Sequence, residues 1–143
     1  MDEKNKQLAL RYLTARMRSE FEMRQYLIKK QVATDEIEAI IAYLYSYHYL
    51  DDMQFAESFI RDKLRFNPCG RMKLIMALKE KGIDEFIIED ALAAEYSPET
   101  EQALLQQDYE RCRQKGKNYQ QAMRYLYGKG YSTHLLSTLE RYE

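Results

Sequence analysis

The chain of 143 residues is poor in the residues that break helices or staple small folds: five glycines, two prolines and two cysteines. So few breakers leave long stretches open to helix, and the abundant Leu, Ala, Glu, Lys, Gln, Arg and Met favour it. Two cysteines, Cys69 at a turn and Cys112 in a helical stretch, exclude a disulfide framework and are expected as free thiols in a reducing compartment. The two histidines, His48 and His134, are far apart and have no companion cysteine, which argues against a zinc site. No apolar run approaches the length that crosses a bilayer, and Met1 to Lys6 lack the apolar core of a signal peptide. A cytoplasmic protein without a membrane partner is expected. Gly-rich phosphate loops and Ser/His/Asp or Cys/His sets are missing too, so the expectation is a non-enzyme with no metal, cofactor or small-molecule substrate. The pair Asp51-Asp52 suggests helix capping rather than acid–base chemistry, because adjacent residues on a helix point apart.

What is present is apolar spacing of helical period, as in Ile37, Ile40, Ile41, Leu44 and Tyr47. Helix starts are signalled by Ser19 with Glu22 (a capping box), by Thr34, by Asp51 or Asp52, by Asp84, by Ser97 ahead of Pro98 and by Ser132. Tyr43 to Leu50 alternates with a period of two, but a lone strand among helices would leave its backbone unpaired. That stretch is therefore read as a helix end entering a turn.

A pattern recurs three times: Leu27-Ile28-Lys29-Lys30-Gln31-Val32, Leu78-Lys79-Glu80-Lys81-Gly82-Ile83 and Leu126-Tyr127-Gly128-Lys129-Gly130-Tyr131. Each copy is followed by a capping residue, Thr34, Asp84 or Ser132, and then by Ile37, Ile87 or Leu135, with Ala33 read as an extra residue in the first copy. The aligned leucines are about 50 residues apart, the length of a three-helix unit. The fold expected is all-α: an elongated, curved array of three tandem three-helix repeats, residues 1–50, 51–96 and 97–143.

The formal net charge of −1 conceals a segregation of sign. Basic residues gather in each copy: Arg16, Arg18, Arg24, Lys29 and Lys30; then Arg61, Arg65, Arg71, Lys73, Lys79 and Lys81; then Arg111, Arg113, Lys115, Lys117, Arg124 and Lys129. A lysine or arginine on a helix is ordinarily a solvated face residue, but a set repeated with the fold would form one stripe if the units stack in register. Such a stripe suits a polyanion or an acidic protein groove. Tyr43, Tyr45, Tyr119 and Tyr127 stand outside the core stripes and could add contact area.

Leu50-Asp51-Asp52-x-x-Phe55-Ala56-x-x-Phe59-Ile60-x-x-Lys63 followed by Gly70-x-x-x-Leu74-x-x-x-Leu78-x-x-Lys81-Gly82-Ile83 resembles the RecX regulatory proteins, modulators of the RecA recombinase. Ser19-Glu20-x-Glu22-Met23-x-x-x-Leu27 and Arg124-Tyr125-Leu126-x-x-Lys129-Gly130-Tyr131-Ser132 extend the likeness along the chain. The resemblance implies a helical solenoid that binds RecA–DNA filaments. It implies inhibition of RecA's recombinase, ATPase and coprotease activities, and for some members contact with single- or double-stranded DNA. Two other readings stand beside it, a DNA-binding protein built of helix-turn-helix units and a general helical scaffold. Glu20 and Glu22 at the start of the second helix weigh against the former.

Overall fold

The structure, a computed structural model, describes residues 1–142, and every regular element among them is a helix. In order these are α1 (Glu3–Ala15), α2 (Glu20–Lys29), α3 (Thr34–Ser46), α4 (Asp52–Phe66), α5 (Arg71–Glu80), α6 (Glu85–Glu95), α7 (Pro98–Gln114), α8 (Tyr119–Gly128) and α9 (Thr133–Leu136). Most starts are capped as the sequence signals: Asp51, Asp84, Ser97 and Ser132 accept from first-turn amides, and Ser19 with Glu22 closes a full capping box. A second box, Asn118 with Gln121, opens α8.

The expected cap at Thr34 is displaced by one residue. Ala33 holds the N-cap position without a side-chain bond, and Thr34 is already helical. Ala33 is thus the counterpart of Asp84 and Ser132 rather than an insertion. The residues that face the core four positions later are Ile37, Ile88 and Leu136, all buried.

The repeated Leu-x-x-Lys-Gly-apolar pattern is a helix terminator. The amides of Val32, Ile83 and Tyr131 donate to the carbonyls of Leu27, Leu78 and Leu126, and those of Gln31, Gly82 and Gly130 to Ile28, Lys79 and Tyr127. This is the Schellman arrangement, closed by a left-handed residue and an apolar contact between its two ends. Gln31 takes that conformation with φ 64°, so the first copy closes as the glycine copies do. The alternating stretch after Leu44 is the same device: α3 ends at Ser46, His48 has φ 59°, and Tyr49 donates back to Leu44.

Buried side chains fall into three clusters. Ala9, Met23, Leu27, Ile37, Ile40, Ile41, Leu44 and Leu50 fill the first, residues from Phe55 to Tyr96 the second, and residues from Leu105 to Leu139 the third. Each fully buried Leu or Ile contributes about 1.5–3 kcal/mol. Leu136 and Leu139 close the third cluster, although α9 stops at Leu136. Cys69 and Cys112 lie free inside the second and third clusters, and burial pushes both thiols above their ordinary range. The accessible surface, 9268 Å², exceeds the roughly 7,800 Å² expected of a compact chain of this mass, as an extended array requires.

Extensive helix-on-helix packing lies within these groups of three helices, whereas the joints between them are small and combine polar bonds with a few apolar contacts such as Phe21 on Gly82 and Leu104 between the second and third clusters. At the first joint the Ser19 hydroxyl donates to the Lys81 carbonyl (2.7 Å), and the Glu20 amide donates to the Asp52 carboxylate (2.9 Å). At the second, the Gly70 and Met72 amides donate to the carbonyls of Lys129 (2.9 Å) and Gly130 (3.0 Å). Both joints set the positive end of one middle helix on the carbonyl end of the next, so α8, α5 and α2 run head to tail. Asp51 and Asp52 are both structural: one caps α4, the other caps α2 across the joint.

Glu22 links the first two groups by accepting from Arg16 (2.6 Å) and Lys81 (3.2 Å). Burial alone would raise its carboxyl, but the bonds from Arg16, the Ser19 amide and Lys81 outweigh it and bring it down to about 2. A depressed carboxylate stabilises the fold above its unfolded value near 4.3 and loses that contribution as pH falls toward about 2. Glu22→Gln should therefore lower the melting temperature at pH 7 and have a smaller effect near pH 2.5. A constant difference across that range in thermal melts would contradict the assignment.

Candidate functional site

The tertiary structure divides the candidate basic residues into two populations. In one, the charge is met by a carboxylate of the same chain: Arg16 with Glu22, Arg24 with Glu20 (2.8 Å) and Glu38 (2.5 Å), and Arg61 with Glu95 (2.6 Å). Lys81 joins Glu22, Arg111 and Arg113 face Asp108 and Glu110, and Lys129 holds Asp108 at 3.0 Å. Arg71 is the most committed: it donates to Glu101 and, through Nη2, to the Tyr96 carbonyl at 2.6 Å, while its own amide is capped by Glu101 at 2.7 Å. Arg71, Lys81 and Lys129 hold the fold or its joints, whereas Arg111 and Arg113 stay largely exposed in loose pairs that contribute little.

In the other population no carboxylate among the described residues lies within 4.0 Å: Arg18, Lys29, Lys30, Arg65, Lys73, Lys79, Lys115, Lys117 and Arg124. Arg18 is nevertheless engaged, stacked 3.9 Å over the Tyr12 ring. Lys30 lies 5.6 Å from Tyr26 and Arg65 5.2 Å from Phe66. Lys29 and Lys79 are exposed near the ends of α2 and α5.

The remaining unpaired cations come together along α8. A cavity of about 330 Å³ between α4, α5 and α8 is lined by Lys63, Lys73, Lys129, Asn67 and Tyr125, and a second of about 400 Å³ by Lys115, Lys117, Gln121, Arg124 and Tyr125. Neither lining contains an acid. Tyr125 belongs to both, is 43 % exposed, and carries the ammonium groups of Lys117 and Lys129 at 5.1 and 5.9 Å from its ring. Lys129 is fixed from behind by Asp108, which is 4 % exposed and also accepts from the buried Tyr131 hydroxyl at 2.6 Å. Burial and the Asp108 carboxylate push the Tyr131 hydroxyl far above its ordinary range, so it stays a donor. The result is an acid-free surface in which the exposed Tyr125 ring lines both cavities, the first of them joining the second and third helix groups.

Sequence reasoning missed two of these residues. Lys63 reads only as the last residue of the Leu50–Lys63 signature, and Tyr125 only as a member of the Arg124–Ser132 signature beside the core residue Leu126. Of the tyrosines expected outside the core, Tyr45 and Tyr127 are exposed, but Tyr43 and Tyr119 are half-buried against the first and third clusters. Tyr47 and Tyr49 are exposed instead, because α3 ends in a left-handed turn that carries them off the core stripe. No group of three or more potential metal-ligating side chains occurs among the described residues, and no helix there is long and apolar enough to cross a membrane.

Comparison with known proteins bears on the fold and the family. Residues 6–44 match the first three-helix domain of RecX, and residues 51–92 the second. The regulatory protein RecX of Halalkalibacterium halodurans is 38 % identical over 135 residues, covering 88 % of this chain and 49 % of the relative. That of Bacillus velezensis is 41 % identical over 86 residues, covering 60 % of this chain and 33 % of the relative. The chain thus spans half or less of the length of these relatives. The crystal structure of RecX from Lactobacillus salivarius superposes with a TM-score of 0.80 at 26 % identity, covering 94 % of this chain and 91 % of that one. Another regulatory protein RecX gives a TM-score of 0.83 at 25 % identity, with 94 % of this chain and 70 % of the other covered. Two domains of one family, matched in tandem over more than half of the chain and set on the same helical architecture, carry the conclusion that this chain belongs to the RecX family.

Proposed function

We propose that this chain is a non-catalytic regulator that binds RecA–DNA filaments and inhibits the recombinase, ATPase and coprotease activities of RecA, and so modulates recombinational repair and the SOS response in the cytoplasm. Family membership supports the regulatory role. The observation that favours a polyanionic filament as the target is the acid-free groove along α8, which gathers unpaired cations from two repeats. The division into repeats 1–50, 51–96 and 97–143 is part of the same reading, each repeat holding its own core and offering part of a shared surface.

A helix-turn-helix mode fits less well. The first turns of α2 and α5, where recognition residues would stand, are occupied by the joints to Lys81 and Lys129. On this reading, substoichiometric protein slows DNA-dependent ATP hydrolysis by RecA from the same source. Reversing Lys73, Lys115, Lys117 and Arg124 to Glu should abolish that inhibition and leave stability within about 0.5 kcal/mol per site, since none of the four meets a carboxylate among the described residues. ATP turnover unchanged by the wild-type chain across a broad titration would sink the proposal. Full inhibition by the folded fourfold variant would move the contact elsewhere.

A further inference from the structure

The middle repeat departs from the other two at two exposed positions, and the departures match each other. On α6, Phe86 is 77 % exposed, although the aligned residues of the first and third repeats, Asp35 and His134, are polar. On α5, Met76 is 64 % exposed where the aligned residues are Gln25 and Arg124. The fold is thus built without an apolar side chain at either place, and large apolar groups left in water there point to a contact. We propose that the two features bind each other between copies of this chain: Phe86 of one copy enters a socket formed by Met72, Met76, Ala77 and Tyr127 of the next.

The socket is a cavity of about 560 Å³ between α5 and the turn that follows α8, ample for one phenyl ring. Met72, Met76 and Tyr127 are exposed around it, and flexible thioethers settle readily about an aromatic ring. The charges around knob and socket are opposite. Phe86 is flanked by Glu85 and, one turn on, by Glu89 and Asp90, all exposed and none within 4.0 Å of a base among the described residues. The sequence of α6 contains no base at all. Lys73 and Glu80 both line the socket, and Lys79 and Arg124 stand exposed on the same two helices, so its surroundings are net positive. Two sockets would meet cation to cation and two α6 faces acid to acid, so complementarity pairs unlike surfaces. Such a contact closes as a dimer if both copies exchange knobs and continues as a chain if only one does. With a formal net charge of −1, the copies repel each other little at long range.

Sedimentation velocity of the full chain, without RecA or nucleic acid, tests this. The sedimentation coefficient should rise between micromolar and millimolar concentration, since a contact with a single anchor is weak, and the rise should shrink with added salt. Phe86→Ala and Met76→Glu should each weaken the association at least about tenfold and leave thermal melts unchanged, because both side chains lie on the surface. The decisive arm mixes the two variants. Phe86→Ala keeps a working socket and Met76→Glu a working knob, so together they should form pairs and nothing larger. A chain that stays monomeric at millimolar concentration overturns the proposal in favour of a foreign partner for the socket. So does wild-type association in either variant, or a mixture as monomeric as its components. Neither residue lines the two cation-rich cavities along α8, so the outcome is independent of any effect on RecA.

Discussion

Gly70→Ala should destabilise the protein by about 3 kcal/mol, although the backbone at that position (φ −74°, ψ 161°) suits any residue. The cause lies 60 residues away in sequence. A Cβ at Gly70 would overlap the backbone of Gly130 and stand 2.5 Å from the Tyr131 nitrogen, where no flexible side chain can give way. Accommodating it means opening the second joint and weakening the bonds from the Gly70 and Met72 amides to Lys129 and Gly130. Overpacking costs about 1–3 kcal/mol, and each neutral hydrogen bond lost costs about 1 kcal/mol. For a chain of this size that lowers the melting temperature by about 10 °C. Gly128→Ala is the control: its added Cβ meets nothing within 4 Å, and the helix should gain stability. If the two variants melt alike, close approach does not explain Gly70. Hydrogen exchange offers a local readout, since the Met72 amide should lose protection in Gly70→Ala before amides of the first core do.

Asp108→Ala should cost as much, about 3 kcal/mol or more, for a different reason. It strips the partner from the Tyr131 hydroxyl, in a residue that is fully buried, and from Lys129, whose side chain is 19 % exposed. Removing one member of a buried pair leaves an uncompensated charge and an unsatisfied donor, the most damaging way to break such a contact. Asp108→Asn keeps an acceptor for Tyr131 and should lose less. Combining Asp108→Leu with Lys129→Met and Tyr131→Phe should recover much of the loss, because the apolar replacements leave nothing unpaired. Urea unfolding of the set measures this. A triple variant as unstable as Asp108→Ala would mean that packing, not the buried charges, carries the cost.

These two sites mark the boundary of what a sequence discloses. The terminators at Gln31, Gly82 and Gly130 follow the printed pattern of Leu, Lys and an apolar residue, because each is closed by hydrogen bonds spanning six residues. Caps such as Ser19 with Glu22 and Ser97 before Pro98 are equally local. The one cap misplaced, Thr34 for Ala33, failed because Ala offers no side-chain bond to signal it. The basic stripe was legible only as composition. Arg71 and Lys73 are two residues apart, yet one is spent on Glu101 and Tyr96 while the other lines the groove.

Sequence alone disclosed the helices, most of their ends and the threefold repetition, since helix spacing, caps and left-handed terminators all act over a few neighbouring residues. It also disclosed most of the three cores, because apolar periodicity names the buried face of a helix up to the turn that ends it, where Tyr47 leaves the stripe. Only the tertiary structure decided which cations are neutralised, why Gly70 must lack a side chain, and that the exposed Tyr125 ring has two ammonium groups near it. Those outcomes depend on groups that meet across joints from distant parts of the chain, and their charges and volumes act on each other only once the helices have been brought together.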